Sequence, residues 1–170
     1  TQELIVALED LLGTSGDVLA LEGQVGSSFD SSSRVTGVID FFGPANLTNM
    51  GGSHNNPDSP ESLLLGGPVP ELPEIAAAAS PITYVSKDDP PFLMIHGSDD
   101  KLVPFNQSVQ LHKSLQDVGV SARLIKIEGG GHGRLQSTEL DSRIRLFLEN
   151  QFHDSDHEIS TQSISIHPSS

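Results

Sequence analysis

Two short stretches carry residues able to do acid–base chemistry together. His96-Gly-Ser-Asp-Asp100-Lys-Leu-Val-Pro104 contains an acid just after one apolar run, and Glu128-Gly-Gly-Gly-His132-Gly133 contains a histidine just after another. A carboxylate and a histidine on neighbouring strand-end loops form the pairing in which the acid fixes the imidazole tautomer and stabilises its charged form. An acid of the first stretch, which ends in Asp99-Asp100, and His132 of the second suggest two-thirds of a catalytic triad. The run Gly129-Gly-Gly131 lacks the Lys and Ser/Thr of a phosphate-cradling loop, so its glycines are expected to turn the backbone and aim His132.

Other residues with chemical potential have plainer readings. Ser15 sits in Gly13-Thr-Ser15-Gly16-Asp17 and reads as a turn or capping serine, a weak candidate nucleophile. Ser53, in Gly51-Gly-Ser53-His54-Asn55, has no helix immediately after it, and His54 is a loop histidine with no assigned role. His153-Asp-Ser-Asp-His157-Glu158 has metal-ligating residue types, but its serine-rich setting reads as solvated chain. His112, beside Lys113, is expected on the surface. Neither a metal nor a cofactor is expected.

The elements that must position Asp100 and His132 follow from local pattern. Glu3 to Leu12 is rich in helix formers and is expected to end at Gly13, followed by a Gly- and Ser-rich loop to Arg34. Val35 to Phe42 reads as a strand closed by Gly43-Pro44, and Asn46 to Pro60 as polar loop. Ser59-Pro60-Glu61 starts a helix, and a second short helix is expected over Pro70 to Ala79. Phe92 to His96 is an apolar strand ending at Gly97. Pro104 to Val118 reads as a helix with Leu111, Leu115 and Val118 on one face and Gly119 as its stop. Arg123 to Ile127 is the third strand, and Leu140, Ile144, Phe147 and Leu148 define a last amphipathic helix. Strands alternating with helices, each strand a buried run, predict an α/β fold with a parallel sheet of about three strands. Ligands bind at the carboxyl ends of such strands, where both candidate residues lie. Residues 1–152 are read as the folded part and 153–170 as a flexible Ser-rich tail.

Composition narrows the partners. The 170 residues carry 9 Lys and Arg against 23 Asp and Glu, a formal net charge of −14 that repels nucleic acid and anionic lipid. The chain has no cysteine, which removes disulfides, thiolate metal sites and a cysteine nucleophile. No apolar stretch approaches the roughly 20 residues of a membrane span, so a soluble protein is expected. Residue 1 is Thr and no basic n-region precedes an apolar h-region, so any signal peptide is expected to have been removed or never to have existed, which leaves the compartment open, secretion included.

His96-Gly97-x-x-Asp100-x-x-Val103-Pro104 and Gly-Gly-His132-Gly133 closely resemble the acid and histidine motifs of α/β-hydrolases. Gly43-Pro-Ala-Asn-Leu47, Ala79-Ser-Pro-Ile-Thr-Tyr84 and Pro91-Phe-Leu-Met-Ile-His96 look like the esterase/lipase branch related to hormone-sensitive lipases, feruloyl and acetyl-xylan esterases and dienelactone hydrolases. The resemblance covers roughly Leu11 to Phe152 and implies that Asp100 is the triad acid, Asp99 its non-catalytic neighbour and His132 the base. The family's Gly-x-Ser-x-Gly elbow and His-Gly-Gly oxyanion motif do not occur here. In relatives a stretch like residues 12 to 17 follows the elbow helix, so the chain resembles the carboxyl-terminal half of such a hydrolase, with Glu3 to Leu12 the remnant of that helix.

Two functions follow as expectations. One is a carboxylic ester hydrolase using the His132–Asp100 pair with a nucleophile not identifiable in this chain, acting on a small-molecule ester. The other is an inactive fragment or pseudoenzyme serving as an interaction module. A strand Val35 to Phe42 without its usual neighbour predicts a homodimer or larger assembly, through that edge or by exchange of the Glu3 to Leu12 helix.

Overall fold

The computed structural model describes residues 10–18, 20–21, 32–133, 135, 137–153 and 155–165. The β-branched and apolar runs form a parallel sheet of β1 (Val38–Phe41), β2 (Phe92–Gly97), β3 (Ala122–Glu128) and a two-residue β4 (Ile164–Ser165), in that order. Val38 lies opposite Phe92 and Phe92 opposite Ala122, so the strands run in step and the loops that leave them emerge at one end of the sheet. The α/β class is as expected, with four strands rather than three.

The helices are α1 (Pro60–Leu65), α2 (Pro73–Ala78), α3 (Asn106–Asp117) and α4 (Thr138–Phe152). Every residue of β2 is buried because both faces of the sheet are covered. Leu93 and Ile95 pack with Ile125, Ile127, Leu140 and Phe147 on the α4 side, while Phe92 and Met94 pack with Leu111, Leu115 and Val120 on the α3 side. Each such side chain contributes about 1.5–3 kcal/mol when fully buried. Val118 does not join Leu111 and Leu115: the helix ends at Asp117, and Val118 is 38% exposed. Leu148 is likewise 39% exposed, one step around the helix from the buried Phe147.

Residues 46–60 are more than polar loop. They form 3₁₀ turns at Leu47–Asn49 and Gly52–Asn55, and Leu47 and Met50 join Val69, Ala76 and Val103 in a third apolar cluster. Ser59 caps α1 as expected, its hydroxyl accepting from the Ser62 amide at 3.1 Å. Val103 belongs to the turn after β2, so this small core ties residues 47–79 to the loop that carries Asp100.

Two expectations are corrected. Residues 155–165 do not run free: Ile159 and Ile164 are each 4% exposed within the α4-side core, and β4 pairs with the end of β3. Two isolated isoleucines in a polar stretch are enough to bury once a sheet offers them a groove. Gly13 is not a helix stop, since residues 10–14 are helical. A Cβ there would lie 2.5 Å from Val38 Cγ2 and 2.7 Å from the Phe92 ring, so the glycine lets this helical turn press onto the sheet. Residues 3–9 of the expected first helix and 22–31 of the loop after it lie outside the described residues. β1 has β2 on one side, and no described strand lies on the other. Among the described residues no helix is long and apolar enough to cross a membrane.

Candidate active site

The two candidate loops leave β2 and β3 side by side and are stitched together by their backbones. The Ser98 amide donates to the Ile127 carbonyl at 2.9 Å, the Asp99 amide to the Gly130 carbonyl at 2.8 Å, and the Gly129 amide to the Ser98 hydroxyl at 2.8 Å. This closeness needs glycine at position 97, where a Cβ would collide with the Gly130 carbonyl. Gly129, at φ +74, makes the turn that an L side chain would resist. Asp99 contributes only its amide to this contact and keeps its side chain in solvent.

Asp100 is held from several directions. Its Oδ1 accepts from the amides of Leu102 at 2.8 Å and Val103 at 2.9 Å. Its Oδ2 lies 2.9 Å from His132 Nδ1 and 3.3 Å from His96 Nε2. A carboxylate only accepts, so His132 donates from Nδ1 and its Nε2 carries the lone pair. That nitrogen has no hydrogen-bond partner among the described residues, while the side chain is only 11% exposed. An imidazole with Nδ1–H fixed by an acid and Nε2 open is able to take a proton from a hydroxyl and return it to a leaving group.

Sequence reasoning missed two supports. His96 is fully buried, and its Nε2 donates to the Val103 carbonyl at 2.9 Å, which leaves Nδ1 to accept from the Ser108 hydroxyl at 2.7 Å. Burial keeps this imidazole neutral by lowering its pKa. Its pairing with Ser108 joins a strand to a helix and leaves no local signature. Phe42 adopts φ +52, a left-handed conformation rare for a bulky residue, and sets its ring 4.4 Å from the His132 ring. Such backbone strain costs on the order of 1–3 kcal/mol and is commonly found at functional positions.

The serines lie elsewhere. Gly13 packs on Val38 and Phe92, the first residues of β1 and β2, which places the helical turn before Ser15 at the amino end of the sheet, opposite Asp100 and His132. Ser15 closes a turn through its carbonyl with the Val18 amide at 2.9 Å. Ser53 opens on a separate cleft with His54, whose Nδ1 lies 3.0 Å from Glu61 Oε1. His112 is not a plain surface residue: its Nε2 donates to the Ala122 carbonyl at 3.2 Å, and burial lowers its pKa. His157 pairs with Glu149 at 3.4 Å rather than with His153. No group of three His, Asp or Glu that could hold a metal forms among the described residues.

A family model described as BD-FAE matches residues 7–115, more than half of the chain and a span that includes Asp100. Esterase LipC of Mycobacterium tuberculosis (strain ATCC 25618 / H37Rv) is 35% identical over 74 residues, 43% of this chain and 18% of its own length. A solved structure described as a truncated form of carbohydrate esterase from gut microbiota aligns with a TM-score of 0.78 at 31% identity, covering 86% of this chain and 56% of that one. The bifunctional GH43-CE of Bacteroides eggerthii aligns at 0.76 and 34% identity, over 85% of this chain and 22% of that one. The chain thus spans about half of the truncated esterase and about a fifth of the other two. With the parallel sheet and the paired strand-end loops already described, these matches place the chain in the BD-FAE family, within the esterase/lipase branch of the α/β-hydrolases.

Proposed function

We propose that this chain carries the acid–base machinery of a carboxylic ester hydrolase. His132 is the general base and Asp100 the residue that orients it, while His96 and Phe42 hold the pair in place. The observation that carries the reading is the 2.9 Å contact from His132 Nδ1 to the fully buried Asp100 Oδ2, with Nε2 left open. A hydroxyl nucleophile, which neither Ser15 nor Ser53 supplies, attacks the ester carbonyl as His132 takes its proton, and backbone amides hold the oxyanion. Likeness to the truncated carbohydrate esterase supports an ester of a carbohydrate as the substrate.

Hydrolysis of p-nitrophenyl acetate tests this. Wherever hydrolysis is seen, with the nucleophile in place, His132→Ala and Asp100→Asn are each expected to lower the rate by about 10³- to 10⁴-fold, one removing the base and the other its tautomer control. Ser15→Ala, at the far end of the sheet, is expected to leave it intact. Unchanged activity in His132→Ala overturns the reading. The edge of β1 that no described strand covers supports pairing of two copies through that strand, with exchange of the Glu3 to Leu12 helix as the other route. Light scattering is expected to give twice 18.1 kDa, and a clean monomer refutes the pairing.

A further inference from the structure

Residues 155–165 run back along α4 as a strap. His157 meets the end of the helix: its amide donates to Asn150 Oδ1 at 2.8 Å, and its carbonyl accepts from Asn150 Nδ2 at 2.9 Å. Two helical turns earlier, the buried Arg143 guanidinium donates to the Gln162 carbonyl at 2.6 Å. Ile159 and Ile164 plug the α4-side core, and Ile164 and Ser165 pair with Ile127 and Glu128. A two-residue strand holds little by itself, so the grip comes from the plugs and from the anchors on α4.

The strap ends where the approach to His132 begins. Glu128, opposite Ser165, is the last residue of β3; Gly129 turns the chain next, at φ +74, and His132 follows in the same loop. That loop is bounded on one side by the Asp100 loop, whose Asp99 amide donates to the Gly130 carbonyl at 2.8 Å. On the other side Gly130 sits against Ile127 and Leu135, each with a side-chain carbon 3.1 Å from where a Cβ at Gly130 would be. Ile127 belongs to the cluster that Ile159 and Ile164 complete, and Leu135 packs on it. Asp100, by contrast, takes its two amides from Leu102 and Val103 of its own turn. The carboxylate is fixed locally, whereas the imidazole depends on a loop wedged between two partners.

A loop wedged in this way keeps its place only while both partners stay. We propose that residues 155–165 are a latch on the His132 loop: docked, they keep His132 Nδ1 on Asp100, and released, they let the imidazole swing away while Asp100 stays. Ile164 is the positioning residue of this latch, acting through Ile127 and Leu135. Segments with few buried groups open before the whole fold does, and this strap is tied by two isoleucines and a few hydrogen bonds. A displacement of about 1 Å costs a catalytic group as much as 10²-fold in rate, so a latch at this point switches the acid–base pair without touching either member. That it governs catalysis rests on the proposed role of His132; that it governs the His132 contact does not.

Amide hydrogen exchange, with two-bond ¹H–¹⁵N correlations of the histidine rings at pH 8, tests this on the full chain. Asn150→Ala removes both hydrogen bonds to His157 at a surface position. It is expected to speed exchange of the β4 amides about tenfold and that of Gly129 and Gly130 by the same factor, as one opening. Leu102 and Val103, whose amides Asp100 holds, are expected to stay protected. Ile164→Asp charges the plug and is expected to abolish the Nδ1–H preference of His132, which Ile164→Val keeps, while His96 retains its Nε2–H. An unchanged strap in Asn150→Ala, β4 amides that speed up without Gly129 and Gly130, or Leu102 and Val103 that speed up equally overturns the latch. If Ile164→Asp does not fold, Asn150→Ala decides alone. A wild-type His132 without the Nδ1–H preference sinks the esterase reading; a preference that survives in folded Ile164→Asp sinks this proposal alone.

Discussion

Asp100–His132 and Glu61–His54 have nearly the same contact, a carboxylate oxygen 2.9 or 3.0 Å from Nδ1, yet the carboxylates behind them are held very differently. Asp100 takes two backbone amides on one oxygen and lies within reach of two imidazoles on the other, in a loop locked against the Gly129–His132 turn. Glu61, on a six-residue helix, takes a single donor on Oε1, from His54 of the preceding 3₁₀ turn. The number of fixed donors decides how far a carboxylate can swing, and so how sharply it aims its imidazole. A base that must meet a reacting hydroxyl needs the first design, since preorganised geometry is where the catalytic gain lies. The Glu61–His54 pair, with one donor on its carboxylate, lacks that preorganisation.

The contrast breaks most completely at Gly97. Gly97→Ala drives a Cβ into the Gly130 carbonyl and forces the two loops apart. Overpacking of this kind costs about 1–3 kcal/mol, and thermal unfolding should show it. The same substitution should abolish the His132–Asp100 contact while leaving the His54–Glu61 contact in place, as the ring-proton NMR signals of the two histidines would show. If both histidines respond alike, the two pairs are not separately built.

A smaller effect tests the support under Asp100. Because burial lowers the His96 pKa below its ordinary value near 6.5, the unfolded chain takes up a proton that the folded chain refuses. This contribution to stability is complete above about pH 6.5 and falls as the pH drops below it, at no more than about 1.4 kcal/mol per pH unit. Urea unfolding between pH 5 and 7 should therefore be less pH-dependent in His96→Gln than in the wild type. The half-buried His112 titrates in the same direction in both proteins, so the difference isolates His96. Equal slopes would mean that His96 is not held neutral.

Asp100 and His132 were legible because each motif is contiguous and directly follows an apolar strand; parallel pairing then brings the two loops together without further information. β1 to β3 and α3 were legible for the same reason, as apolar runs and periodicity are local. What was missed is what folding alone brings together. His96 meets Ser108 across a strand and a helix, His54 meets Glu61 from a 3₁₀ turn within a stretch that reads as polar loop, and Ile159 and Ile164 look solvated until β3 offers an edge. Gly13 was misread because a glycine at a helix–sheet contact has the same local signature as a helix stop.

The central claim is that Asp100 holds His132 as the Nδ1–H tautomer with Nε2 bare. Two-bond ¹H–¹⁵N correlation spectra at pH 8 read this directly in the whole chain. The account predicts a protonated Nδ1 and an unprotonated Nε2 for His132 in the wild type, with that preference lost in Asp100→Asn. A wild-type His132 protonated at Nε2, or a tautomer unchanged by Asp100→Asn, would contradict it.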